Sequence, residues 1–166
     1  MKDQKLLLAE NPNTPPKTLT LLARDKVRGV RWSVAGNPNT PPEALTLLAR
    51  DECFNVRCEV ANNPNTSAET LTILARDKVW DVRWNVALNP NTPPETLTIL
   101  TQDVYVSVRC GVAQNPNTPP EILSILARDE YGWVRCRVER NQNSTREVIQ
   151  TVRAYEFYRT LDKVAH

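Results

Sequence analysis

An all-α solenoid of 26-residue repeats is what this sequence predicts, on three observations. An asparagine recurs at Asn11, Asn37, Asn63, Asn89, Asn115 and Asn141, a constant spacing of 26 residues without insertion. Each asparagine opens a junction rich in Pro and Thr that reads as a helix start, as in Asn89-Pro90-Asn91-Thr92-Pro93-Pro94-Glu95. Each junction leads into apolar residues at helical spacing. A fixed period of this length belongs to stacked units, each too small to bury a core alone.

Taken in order, residues 1–10 are the tail of a partial repeat, with Leu8-Ala9-Glu10 in the place that Val34-Ala35-Gly36 holds before the next asparagine. Five full repeats follow over 11–140, and 141–166 form a degenerate sixth that reads as a carboxy-terminal cap. Together, 1–166 are expected to be a single repeat domain. Within a repeat, Thr40-Pro41-Pro42-Glu43 reads as a capping box, the Thr side chain taking orphan N–H groups and the Glu reaching back. Pro fits the first turn, where its missing N–H has no partner to lose. Leu45, Leu48 and Ala49 then share one helix face. This first helix is expected to cover roughly ten residues, ending at Asp51.

A second, shorter helix follows, as in Val82-Arg83-Trp84-Asn85-Val86-Ala87, with Val82 and Val86 on one face. It is expected to stop before the next Asn-Pro and to be partly 3₁₀. In the cap the Pro residues vanish. Ile149, Val152, Tyr155, Tyr158 and Leu161 form an apolar stripe, which predicts one longer helix closing the last core layer.

Composition narrows the function classes. The 21 basic and 19 acidic residues leave a net charge of +2, no strong general pull toward nucleic acid or anionic membrane. The apolar run Leu6-Leu7-Leu8-Ala9 is too short for a signal-peptide core or a membrane span, which predicts a cytoplasmic protein without membrane contact. The sole histidine is His166, and Cys53, Cys58, Cys110 and Cys136 contain no C-x-x-C, so neither metal nor other cofactor is expected. Cys58, Cys110 and Cys136 share one repeat position. Helices stacked about 8–10 Å apart exceed the roughly 7 Å reach of a disulfide, so free thiols packing as small apolar groups are expected. The lack of a nucleophile–base pair and of a Gly-rich phosphate loop predicts a non-enzyme.

Two charged columns follow the period. Asp25, Asp51, Asp77, Asp103 and Asp129 form one; Arg31, Arg57, Arg83, Arg109 and Arg135 form the other, each six residues later. A structural ladder, with each Asp meeting the Arg of its own or the adjacent repeat, suits such regularity better than catalytic carboxylates or a phosphate-binding row. Arg24, Arg50, Arg76 and Arg128, broken by Gln102, mark the ends of the first helices, where positive charge is favoured. A row of this kind is also the feature by which a helical-repeat protein would track a nucleic-acid backbone.

The pattern Val-Arg-x-x-Val-Ala-x-Asn-Pro-x-Thr-Pro-x-Glu-x-Leu-x-x-Leu-Ala-x-Asp, clearest from Val82 to Leu100 and from Val56 to Asp77, resembles the leucine-rich repeat variant family. The resemblance covers about residues 5–150 and implies a right-handed superhelix of alternating α- and 3₁₀-type helices, similar at a distance to HEAT repeats. The family's best-known member carries an iron–sulfur cluster on an amino-terminal cysteine-rich segment; here no cysteine precedes Cys53, so that cofactor does not transfer.

One face of the second helix varies where the core positions do not. It carries Arg28, Trp32 and Gly36, then Phe54, Cys58 and Asn62, then Trp80, Trp84 and Leu88, then Val106, Cys110 and Gln114, then Gly132, Cys136 and Arg140. Identical backbones packing only on one another would demand similar volumes. Two readings follow. Trp32, Phe54, Trp80, Trp84 and Leu88 form a patch on the concave side, centred on Trp80 and Trp84, where a scaffold binds a protein partner; or these side chains fill gaps between helical layers. Full burial of Trp80 and Trp84 would exclude the patch.

Overall fold

A computed structural model describes the backbone of residues 4–164 and the side chains of 4–159. The described residues form twelve α-helices and no strand, a helical repeat solenoid. They divide into two compact units at Pro93/Pro94.

The amino-terminal unit contains α1 (Gln4–Glu10), α2 (Pro16–Leu22), α3 (Arg28–Gly36), α4 (Pro42–Leu48), α5 (Phe54–Asn62), α6 (Ala68–Leu74) and α7 (Trp80–Leu88). The odd-numbered helices pack closely in a row, α1 on α3, α3 on α5 and α5 on α7, whereas the even-numbered helices touch more sparsely. The carboxy-terminal unit contains α8 (Pro94–Leu100), α9 (Val106–Gln114), α10 (Pro120–Leu126), α11 (Gly132–Arg140) and α12 (Arg146–Val164). There α9 packs on α11, and α12 lies against α10 and α11.

The core is as periodic as the sequence. Leu19, Leu45 and Leu71 of the first helices are buried, with Val30, Val34, Val56, Val60, Val82 and Val86 of the second helices. Leu97, Leu123, Val108, Val112, Val134 and Val138 repeat the arrangement in the other unit. Leu45, Leu48 and Ala49 are all buried, as one face of α4 requires.

Four local expectations are corrected. The second helix is a nine-residue α-helix and the first is the shorter, with seven residues. The 3₁₀-type turn lies at the end of the first helix instead: the Arg50 and Asp51 amides bond to Leu47 and Leu48, three residues back. This tightening brings the chain straight to Asp51, where the next helix is set up.

The Thr residues are not amino-terminal caps. Helix α4 starts at Pro42 with Pro41 in the capping position and no side-chain cap. The Thr40 hydroxyl instead donates backwards, to the Val34 carbonyl at 2.6 Å, closing the preceding helix. Thr40 stands one residue before the capping position, which Pro41 holds, so its hydroxyl serves the helix behind it. Thr14, Thr66, Thr92 and Thr118 make the same backward bond. Ser67 and Thr145, which stand where the other junctions carry the first proline, do accept an amide as side-chain caps, from Thr70 and Val148.

Finally, the cap is one long helix, but its buried residues are Val148 and Val152. Ile149 and Tyr155 are half-buried, and Tyr158 is exposed. The Leu161 side chain lies outside the described residues.

Candidate functional site

Two sets of residues make up the candidate site: a buried frame that fixes each repeat, and the outward face of the second helices.

The frame has two ladders. In the first, each Asp orders the loop between the helices of its repeat: Asp51 Oδ1 accepts the Cys53 amide and Asp77 Oδ1 the Val79 amide, each at 2.9 Å. The same carboxylates receive the arginine of the preceding repeat. Arg31 Nε lies 2.6 Å from Asp51, Arg57 Nε 2.5 Å from Asp77 and Arg109 Nε 2.6 Å from Asp129, with Nη2 completing a two-point bond each time. The remaining Nη1 of Arg57 donates to the carbonyl of Asp51, its own repeat's aspartate, at 2.7 Å. One guanidinium therefore clamps two successive junctions. Arg57 and Arg109 are each only 7% exposed.

Arg83 makes the same bond to the Asp77 carbonyl, and Asp103 accepts the Tyr105 amide. At the amino-terminal end Lys5, one period before Arg31, supplies the cation for Asp25, which orders its own loop through the Val27 amide. At the other end Glu156 of α12 supplies the carboxylate for Arg135. Arg109 and Arg135 also stack on Tyr131 and Tyr155, with ring centroids 5.4 and 4.9 Å away. The pKa shifts follow. Burial pushes the Asp51 and Asp77 carboxyls up, but the hydrogen bonds from Arg31 and Arg57 and from the loop amides hold both below the usual carboxylate value. At Asp25 the Lys5 bond leads the lowering.

The second ladder is the asparagine column. Asn63 Nδ2 donates to the carbonyls of Ala35 and Asn37 in the preceding repeat, at 2.7 and 3.0 Å, while its Oδ1 accepts the Asn65 amide. Asn37, Asn89 and Asn141 repeat this pattern. Both ladders use polar atoms of their residues in bonds that hold the repeats together.

The outward face is different. Trp32 is 46% and Phe54 41% exposed. Trp80, Trp84 and Leu88 are half-buried, so neither tryptophan is enclosed within the chain. The same face in the carboxy-terminal unit has half-buried Val106, Cys110 and Cys136, with exposed Gln114 and Arg140. None of the four cysteines is in a disulfide. Burial, then the nearby Asp81 and Asp77 carboxylates, push the Cys58 thiol up to about 11. Arg24, Arg50 and Arg76 are exposed at the ends of α2, α4 and α6, as is Arg128 after α10.

Sequence reasoning missed two features. Leu21, Leu47 and Ile73 form an exposed aliphatic column on the first helices of the amino-terminal unit, and Ile99 and Ile125 hold the same repeat position in the other. The helix period already points them away from the Leu45–Leu48–Ala49 face, which was the available signal. Trp133, 76% exposed, lies one residue off the face of Gly132, Cys136 and Arg140.

Among the described residues no helix is long and apolar enough to cross a membrane, and no group of His, Cys, Asp and Glu is placed to hold a metal ion.

No curated protein matches the chain. A solved structure described as a leucine-rich repeat variant with a novel repetitive protein structural motif matches with a TM-score of 0.64 and 26% identity, over 93% of this chain and 67% of that one. The family model described as leucine rich repeat variant matches residues 28–52, 54–78, 80–104 and 107–130. With its buried ladders in phase with those four matches, this chain belongs to the leucine-rich repeat variant family.

Proposed function

We propose that this chain is a non-catalytic scaffold that binds a protein partner through the outward face of its second helices. The observation that carries this reading is the contrast between the two faces of those helices. The inward face holds valine at every repeat, fully buried. The outward face runs from Trp32 to Cys58 to Trp84, and from Gly36 to Asn62 to Leu88, and keeps aromatic surface open to solvent. Packing inside a regular stack gives no reason for that variety, whereas a contact with a shaped partner does, and Trp anchors are favoured at interfaces. The unbonded cysteines suit the cytoplasm, where thiols stay reduced.

The exposed Arg24, Arg50 and Arg76 support a second reading, a nucleic-acid contact, but Glu52 lies exposed beside that row. One pair of assays separates the two. Affinity capture with the wild-type chain and with Trp84→Ala is expected to lose the partner in the variant. An electrophoretic assay with duplex DNA and single-stranded RNA is expected to show no shift at low salt, where phosphate contacts are strongest. A shift that weakens as salt rises would favour the arginine row instead.

A further inference from the structure

Within the amino-terminal unit, a hollow of about 250 Å³ opens beside Trp32, lined by Glu10, Ser33, Gly36 and Glu59 among others. Its polar groups lean one way. Ser33 is 8% exposed, and its Oγ is buried without a hydrogen-bond partner. Such an oxygen is costly to leave unmet. Burial pushes the Glu59 carboxyl up, opposed by a hydrogen bond from the Trp32 indole. Asn37 also lines the hollow, but its amide is committed to the Ala9 and Asn11 carbonyls. No Lys or Arg is among the lining residues. The hollow thus offers the Glu59 carboxylate and the Trp32 ring without an opposing cation, a set complementary to a cation.

This set occurs once along the chain. Ser33 and Glu59 hold the same position in successive repeats, where Asn85, Gly111 and Arg137 follow. Gly36 keeps the mouth open: a Cβ there would come within 3.2 Å of Glu59 Oε2, and the corresponding residues are Asn62, Leu88, Gln114 and Arg140. A second hollow that shares Trp32 is lined by Arg28 and Asn55, so its charge steers a cation away, toward the Glu59 side.

We propose that the hollow between Trp32, Ser33 and Glu59 receives an arginine side chain of the partner protein. The guanidinium donates to the Glu59 carboxylate and packs on the Trp32 ring, beside Ser33. Arginine suits the hollow better than lysine because its planar fork reaches several acceptors at once and stacks on aromatic rings. The volume, below the roughly 300–1,000 Å³ of pockets for whole ligands, fits one side-chain head. This inference rests on the reading of the chain as a protein-binding scaffold.

The test uses the full chain and the capped peptide acetyl-Gly-Arg-Gly-amide, followed by the indole N–H signals of the four tryptophans. The Trp32 signal is assigned by Trp32→Phe. The expected result is a saturable shift confined to Trp32. Glu59→Gln and Gly36→Leu are each expected to weaken binding at least about tenfold, as loss of a charged hydrogen-bond partner does, with melting temperatures unchanged. If Glu59→Gln fails to fold, Gly36→Leu carries the test, since Leu88 already occupies that position in a later repeat.

The citrulline peptide, and guanidinium chloride at matched ionic strength, are expected to bind at least about tenfold more weakly. An unmoved Trp32 signal at millimolar peptide, or an equal response to citrulline, overturns the proposal. Equal binding by guanidinium ion alone also overturns it, because the hollow would then be a small-cation site. Failure here is distinguishable from failure of the scaffold reading, which the Trp84→Ala capture assay tests without the peptide.

Discussion

Arg57 shows how much one side chain holds. It is almost wholly buried, bonds both oxygens of Asp77 in the next repeat, and still reaches the Asp51 carbonyl in its own. Arg57→Met is expected to cost about 3–5 kcal/mol, the range for removing one partner of a buried ion pair, read by urea denaturation; an unchanged midpoint would show that the ladder bears no load. The pH dependence follows from the aspartates. The folded pKa of Asp51 and of Asp77 lies below the ordinary carboxylate value. A depressed carboxylate contributes stability that is present above its unfolded pKa and is lost as pH falls through the folded one. Stability is therefore expected to hold down to about pH 5 and to fall progressively below about pH 4. Asp77→Asn, though less stable at pH 7, is expected to show a flatter acid limb; equal slopes for the two proteins would remove Asp77 from the account.

Cys58 supplies a third check at this scale. With its thiol pushed up to about 11, very little thiolate exists at pH 8. Its alkylation by iodoacetamide is expected to be on the order of a hundredfold slower than that of an unperturbed cysteine with a pKa near 8.5. Mass spectrometry of the tryptic peptides measures this, and reaction at the ordinary rate would place the thiol in open solvent.

At the scale of the element, helices of seven and nine residues are too short to persist alone. They are held by junctions that satisfy the backbone at both ends. Thr40 closes α3, and Asn63 ties α5 to the two preceding carbonyls. The repeat period, the buried leucines and valines and the Asp–Arg pairing were legible in the sequence, because a core position and its charge partner recur every 26 residues. The direction of the Thr bond was not. A Thr between two helices has a carbonyl behind it and amides ahead, and the capping-box spacing is compatible with either. Nor was the hollow at Trp32, since Ser33 and Glu59 meet only through the stacking of α3 on α5.

The long helix α12 belongs at this scale too. It contributes Val148 and Val152 to the core and Glu156 to Arg135. Deleting residues 150–166 removes the second valine and leaves a buried guanidinium without that carboxylate. The truncated chain is expected to self-associate, as light scattering during gel filtration would report; a soluble monomer with the parent melting temperature would refute the capping role.

At the scale of the whole molecule, frame and outward face are separate sets of residues on the same helices. Val56 and Arg57 face the stack, whereas Phe54 and half-buried Cys58 face outward. Such a division lets the outward residues change while the repeat keeps its backbone, which is how a scaffold acquires a partner-specific surface. It also makes the two readings of the aromatics separable. If Phe54 and Trp84 fill gaps between layers, removing them creates cavities, and Trp or Phe to Ala in a core costs about 3–5 kcal/mol each.

The most direct measurement is the thermal melt of the double variant Phe54→Ala/Trp84→Ala beside that of Arg57→Met. The double variant is expected to melt within a few degrees of the parent while Arg57→Met melts far lower. A collapse of the double variant to or below the Arg57→Met value would contradict this, because the aromatic face would then be part of the frame.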